Sequence, residues 1–413
     1  MGLQSKLKSL IKNLGPAFFI IGYVIGTGSV TSMVVSGSRF GLSLAWALLL
    51  SCFFTYFLIT SISRLTIVSG QTLLFNFKEH FGKIPTLFII LALLITIVSS
   101  CIGIMGVVAE VAVEWFMVHT DITFLNEISI SLGLVALLIG LFWLGRHKYF
   151  LNIMAILVAF MAVAFIITSI MVLKESNVGL LEFFPALPSE GNTGLIVAGM
   201  VGTTMAGVCL VSRSILVQEQ NWKIADLATE KKDAITSMVM TFIISLAIMI
   251  SATGTLYFQG IAVDSPVDMM SALGSWAGTF ALTLFALGIV GAGMSSIFPN
   301  LLLLPWLIAD YSNTKRDMKR PLFKGLVVLI ALSCLAIPVL GGKPIWILIA
   351  SQAFGPFIMP LITLFLIILM NKKDLMGKYK AKLGLNLALG CTLLFNIYMM
   401  YVSIKGLVEF FSA

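Results

Sequence analysis

Gly26, Thr27, Gly28 and Ser29 set two glycines and two hydroxyls side by side in the middle of an apolar stretch, and Gly202, Thr203 and Thr204 repeat the theme in the second half of the chain. Glycine lets a backbone bend and come close to a ligand. A broken helix bares two kinds of group. Its free N–H groups and the positive end of its dipole favour an anion, while its free carbonyls and nearby hydroxyls are oxygen donors of the kind hard cations take. The plainer alternative is that small residues let helices pack closely and that hydroxyls bond back to their own helix. Glu110 and, nearer a span end, Glu114 are the acids expected inside spans, and intramembrane acids are functional candidates.

The elements that must position these residues follow from composition. Hydrophobic residues make up 59% of the 413, charged residues 11%, and the mean hydropathy is +1.06. Soluble domains are roughly 45–50% apolar, so the chain is expected to be a multi-span membrane protein. A span needs about 20 consecutive apolar residues. Eleven candidates fall at 14–38, 42–66, 85–113, 128–145, 150–173, 193–218, 234–257, 273–309, 322–341, 345–371 and 383–408. The runs lack the alternation of a membrane β-barrel, and no cleavable signal is expected at the basic start MGLQSKLKSLIKN.

The +8 net charge is a matter of topology. With the N-terminus in the cytoplasm, twenty of the 26 cations fall on the cytoplasmic side, which is the positive-inside signature and argues against a nucleic-acid partner. The C-terminus is then extracytoplasmic. Cys52, Cys101, Cys209, Cys334 and Cys391 all fall within spans at no disulfide or metal spacing and are expected as small buried apolar residues. The spans hold no paired aspartates or histidine cluster, so an enzyme is not expected.

Both breaks lie near the centre of their spans. Span 6 comes five crossings after span 1, an odd number, so the two run in opposite directions. Matched, opposed breaks are the sequence pointer to an inverted-repeat secondary transporter with its cargo held at the midplane.

The chain also resembles the Nramp family of proton-coupled divalent-metal transporters. The likeness is carried by LGPAFFIIGY and SGSRFG around span 1, AEV in span 3, VGTTMAG in span 6, LFALGIVGAGMSS in span 8 and SQAFGPFIMPLITLFLIILMNKKDLMG from span 10 onward. It implies an all-α integral membrane protein of eleven helices with a LeuT-like 5+5 inverted repeat, helices 1 and 6 broken, and one extra C-terminal helix. The single domain 1–413 would comprise a first repeat at 1–173, a second at 193–371 and the extra helix at 383–408.

The family's site residues are largely replaced. Its Asp-Pro-Gly-Asn falls on Gly26, Thr27, Gly28 and Ser29, and its Met-Pro-His on Ala206, Gly207 and Val208. Met205 stands one position early. The family's span 10 glutamine is matched by Gln352, and its span 3 glutamate, part of a proton route, by Glu110. The aspartate that precedes that glutamate falls on Val107. A second span 6 histidine falls on Arg213, which is expected to snorkel to the interface, to pair with Glu219 or Asp226, or to serve as a counter-charge. Arg320 and Lys324 approximate a basic pair near span 9.

Substrate-binding candidates are therefore Gly26, Thr27, Gly28, Ser29, Thr203, Thr204, Met205, Ala206 and Gln352. Ser29 and Gln352 are the side chains left for a metal, and Glu110 and Arg213 the candidates for proton coupling. No resident cofactor is expected. The partners are the lipid bilayer and a small solute or ion. The resemblance points to a divalent cation as cargo. The Gly-x-Gly break instead resembles amino-acid carriers of the amino acid, polyamine and organocation superfamily, which points to a small carboxylate. A non-transporting sensor is the third alternative.

Overall fold

A computed structural model describes residues 26–120, 125–145, 147–175, 192–273, 278–314 and 316–412. The first half of span 1 and most of the 174–192 connection lie outside the described residues. Among the described residues the regular structure is helical throughout.

The helices run in order α1 (Thr27–Phe40), α2 (Ala45–Ser69), α3 (Leu73–Phe81), α4 (Lys83–His119), α5 (Glu127–Leu144), α6 (His147–Glu175), α7 (Thr193–Thr204), α8 (Gly207–Glu219) and α9 (Leu227–Thr255). They continue with α10 (Pro266–Met270), α11 (Gly278–Tyr311), α12 (Pro321–Ser333), α13 (Ala336–Leu340), α14 (Pro344–Ala353), α15 (Gly355–Asn371), α16 (Lys373–Met376) and α17 (Leu383–Ser412). Local chemistry sets several ends. Gly70 closes α2 in the left-handed region at φ 71°, and the Thr72 hydroxyl caps α3 by accepting from the Phe75 amide. Asn126 and Ser129 form a reciprocal capping box on α5.

By length and composition, nine helical segments among the described residues can cross a membrane, with α7–α8 and α14–α15 each counting as one. The expected count of eleven is not reproduced. Span 1 is seen only from Gly26, and the ninth span divides into the 13-residue α12 and the short α13. Pro338 gives the physical cause, because its ring lacks an N–H and crowds the carbonyl four residues back, at Cys334, where α12 stops.

Packing follows a two-fold logic. α1 lies along α9 while α8 lies along α2; α4 packs on α14 while α11 packs on α6; α4 meets α5 while α11 meets α12. Advancing each helix by five spans converts the first contact of every pair into the second. The contacts α1–α7, α2–α9 and α4–α11 map onto themselves and form the centre. α17 is clasped against α7 and α15. There Gly406 comes so close to α7 that a Cβ would lie 2.5 Å from the Leu195 amide nitrogen, and the Ser403 hydroxyl donates to the Ala353 carbonyl. Cys52, Cys101, Cys209 and Cys334 are buried free thiols, whereas Cys391 is exposed on α17, contrary to the expectation for it.

Candidate functional site

The start of α1 and the break between α7 and α8 meet. Gly26 caps α1 in extended conformation with no side-chain cap, and its carbonyl accepts from the Ser29 and Val30 amides, both at 3.1 Å. The amides of Thr27 and Gly28 are thus first-turn donors that have no acceptor within α1. In the second break Met205 (ψ 37°) and Ala206 (ψ 117°) leave helical geometry between α7 and α8. The last carbonyls of α7 and the first amides of α8 lose their i to i−4 partners there.

α14 supplies the third wall. The Gln352 side-chain amide donates to the Ser100 hydroxyl on α4 at 2.9 Å. Two glycines let α14 approach so closely. A Cβ on Gly28 would lie 2.9 Å from Gln352 Nε2, and a Cβ on Gly202 would lie 2.0 Å from the Gln352 carbonyl oxygen.

Between these walls lies a cavity of about 30 Å³. Of the expected residues it brings together Gly26, Gly28, Ser29, Thr203, Ala206 and Gln352. Thr96 and Ser100 on α4 and Ser296 and Asn300 on α11 complete its polar lining, and sequence reasoning missed all four. The available signals were the hydroxyl pairs Ser99–Ser100, with Thr96 one turn before, and Ser295–Ser296. Among the described residues the cavity lining contains no Asp, Glu, Lys, Arg or His. Among the described residues no group of three or more His, Cys, Asp and Glu could hold a metal.

Four expected residues point elsewhere. The Thr27 hydroxyl donates to the Ile289 carbonyl at 3.3 Å, and the Thr204 hydroxyl to the Met200 carbonyl at 3.1 Å. Thr203 bonds the same carbonyl while still lining the cavity, so back-bonding accounts for both span 6 hydroxyls. Met205 is buried in the apolar core and absent from the lining. Glu110 is half-buried on α4, about 15 Å beyond Ser100 at 1.5 Å rise per residue, with Glu114, Glu127 and Asp268 as charged neighbours.

Arg213 corrects a further expectation. It neither snorkels nor pairs with Glu219 or Asp226. It is fully buried, with Nη1 donating to Asp233 at 2.6 Å, Nη2 to Glu230 at 3.3 Å and Nε to the Ser63 hydroxyl at 2.9 Å. Its guanidinium also lies over the Trp222 ring, 5.4 Å from the centroid, within cation–π reach. Asp226 instead accepts from the Lys223 amide. Glu230 and Asp233, three residues apart on one face of α9, are the buried acids that the expected start of span 7 at 234 left out. The cluster ties α8 to α2 and α9. At the other end of the bundle Arg39 donates to Asp264 at 2.6 Å and lies over Trp346, whose indole N–H reaches the same carboxylate at 3.2 Å.

The sequence model of the family described as "Natural resistance-associated macrophage protein-like" matches residues 17–405. The chain belongs to the Nramp family. Among curated relatives it is 26% identical to the "Divalent metal cation transporter MntH" of Clostridium acetobutylicum over 97% of this chain and 93% of that one. Among solved structures it superposes on the manganese transporter of Eremococcus coleocola with TM-score 0.72 at 15% identity, over 99% of this chain and 88% of that one. It also superposes on MhsT, solved in complex with L-phenylalanine, with TM-score 0.63 at 13% identity over 96% and 98% of the two chains. These likenesses establish the LeuT-like transporter fold of an integral membrane Nramp protein. A fold shared with a structure that holds phenylalanine does not choose the cargo.

Proposed function

We propose that this Nramp-family chain is a secondary transporter that carries a divalent metal cation across the membrane by alternating access, with the ion held between the two breaks. The observation that carries this is the cavity itself. It is small, neutral among the described residues, and lined by oxygen donors from Ser29, Thr203 and Gln352 beside the last turn of α7, whose carbonyls lose their i to i−4 partners. Ligand pockets for organic molecules run to roughly 300–1,000 Å³, whereas about 30 Å³ suits an ion with one or two waters. An organic carboxylate would also lack its counter-charge, because Arg213 is committed to two acids and a hydroxyl. Hard oxygen ligands with retained water match the coordination habits of hard divalent ions.

In this reading the N-terminus is cytoplasmic and the C-terminus extracytoplasmic, as the cation bias requires. The first repeat covers 1–173, the second 193–371, and 383–408 is the additional helix. Glu110 sits with other acids at the outer mouth, where negative charge raises local cation concentration, and it is the acid assigned to proton coupling. Arg213 anchors the inner half-helix.

A thermal-unfolding screen of the purified chain tests the assignment, since a ligand that binds the folded state raises its stability by mass action. Manganese, magnesium or calcium should give a saturable shift that Ser29→Ala and Gln352→Ala weaken. A shift produced only by amino acids or small carboxylates would transfer the site to an organic cargo. No shift with any of them, in a chain that also fails to move ions in liposomes, would leave a sensor.

A further inference from the structure

Five cations converge at the end of the bundle proposed to be cytoplasmic. Arg64 from α2, Lys231 from α9, and Lys378, Lys380 and Lys382 from the segment between α16 and α17 line one pocket of about 440 Å³, together with Tyr379 and Leu385. None of the five takes part in an ion pair among the described residues. The acid that reaches the adjoining pocket is Glu230, which Arg213 already engages. Topology alone asks only that cations lie on this side of the membrane. It does not ask that three elements far apart in sequence aim them into one concavity, where like charges repel until an anion joins them.

We propose that this pocket binds a phosphate-bearing anion, supplied by an acidic phospholipid of the leaflet that borders it. Arg64 is half-buried, and a guanidinium presents a fork of donors matched to phosphate oxygens. The lysines add mobile point charges around it. The volume suits a headgroup rather than a lone inorganic ion. Leu385 of α17 adds an apolar side chain to the lining, and Leu383 and Leu387, on the opposite face of the same helix, are 75% and 62% exposed, so α17 presents a lipid-facing surface next to the pocket. Basic pockets between membrane helices on the cytoplasmic side take headgroups in this way. The bound anion would join α2, α9 and the 377–382 segment that leads into α17, next to the cluster in which Ser63, adjacent to Arg64, accepts from Arg213.

The test uses the full chain, purified in neutral detergent and stripped of lipid, with thermal unfolding followed against added short-chain phosphatidylglycerol, phosphatidylcholine of equal chain length, or inorganic phosphate. Phosphatidylglycerol is expected to stabilise saturably and phosphatidylcholine not at all. Lys378→Gln/Lys382→Gln should weaken the midpoint by more than about tenfold, each surface cation being worth roughly fivefold. Lys372→Gln/Lys373→Gln, which removes two cations of the same connection that do not line the pocket, should leave it within about twofold. Inorganic phosphate acting as well as phosphatidylglycerol would overturn the lipid source and make the ligand a soluble phosphate. Equal shifts with phosphatidylcholine, or equal losses in the two double variants, would overturn the site.

Discussion

Replacing Gly202 by alanine drives a methyl group into the backbone of the facing helix. The new Cβ would stand 2.0 Å from the Gln352 carbonyl oxygen, 2.8 Å from its carbonyl carbon and 3.2 Å from Pro356 Cδ, where ordinary contact starts at 3.4 Å. The α14–α15 junction would have to retreat by about 1.4 Å, the difference between 3.4 and 2.0 Å. The obstacle is backbone, and that backbone is tethered by Gln352 to Ser100 and by Ser403 to Ala353, so no rotamer change relieves it. Overpacking of this kind costs about 1–3 kcal/mol. Gly28→Ala is the matched contrast, because its methyl meets Gln352 Nε2 at 2.9 Å, the far end of a flexible side chain that can swing away. Thermal unfolding should therefore show a marked fall in Tm for Gly202→Ala and a smaller one for Gly28→Ala, whose swing gives up only the Gln352–Ser100 hydrogen bond. Manganese titration of the same samples should show Gly28→Ala weakened by about tenfold, the worth of roughly one polar ligand contact. An unchanged Tm in Gly202→Ala would refute the packing argument. Unchanged ion affinity in Gly28→Ala would remove the Gln352 amide from the site.

Arg213→Met leaves Glu230 and Asp233 buried without their cation and is expected to cost about 3–5 kcal/mol in thermal unfolding; adding Glu230→Gln and Asp233→Asn should recover most of it, and a triple variant as unstable as the single one would contradict the pairing. Arg39→Ala removes a half-exposed tie between α1 and the 263–264 segment, so stability should change by at most about 1 kcal/mol while the rate of uptake into liposomes changes; an unaltered rate would show that this tie plays no part in outer opening. Glu110→Gln should flatten the dependence of uptake on external pH and leave ion affinity in the thermal-shift assay unchanged, whereas lost affinity would place Glu110 at the cavity.

The parts of the molecule written in local signals were legible. Glycine and hydroxyl runs at Gly26–Ser29 and Gly202–Thr204 pointed to the start of α1 and to the α7–α8 break, because a helix in lipid gives up its hydrogen bonds only where protein or a cavity replaces them. Hydropathy was a poorer guide wherever charge or proline lay inside a helix. α9 begins at Leu227 with Glu230 and Asp233 in its first two turns, so a window that starts at the first apolar run sets those acids outside. The ninth span reads as continuous because Pro338 is itself apolar. Nearness along the chain also misled for Arg213: Glu219 lies six residues on, about 240° around the helix, and so faces away. Thr96, Ser100 and Asn300 were invisible for another reason. A hydroxyl or amide in a long apolar helix looks the same in sequence whether it lines a cavity or, as Ser99 does, bonds its own backbone, and only the packing of α4 against α11 and α14 decides which.

A neutral cavity constrains both what can cross and what drives it. Soft transition metals gain their advantage from thiolate, thioether and imidazole ligands, and Ala206 and Val208 at the α8 break offer none of these. Discrimination among divalent ions must then rest on size and on how readily each ion sheds water. Because no lining carboxylate is present to be neutralised, the loaded site carries the full charge of its ion. Moving one charge through 100 mV is worth about 2.3 kcal/mol, so a dication gains about 4.6 kcal/mol, roughly three powers of ten in accumulation. A negative interior would supply that drive without a proton bound beside the metal. Glu110 and its acidic neighbours lie well away from the cavity, so under the proposed function they would tune entry and pH response without taking part in ligation.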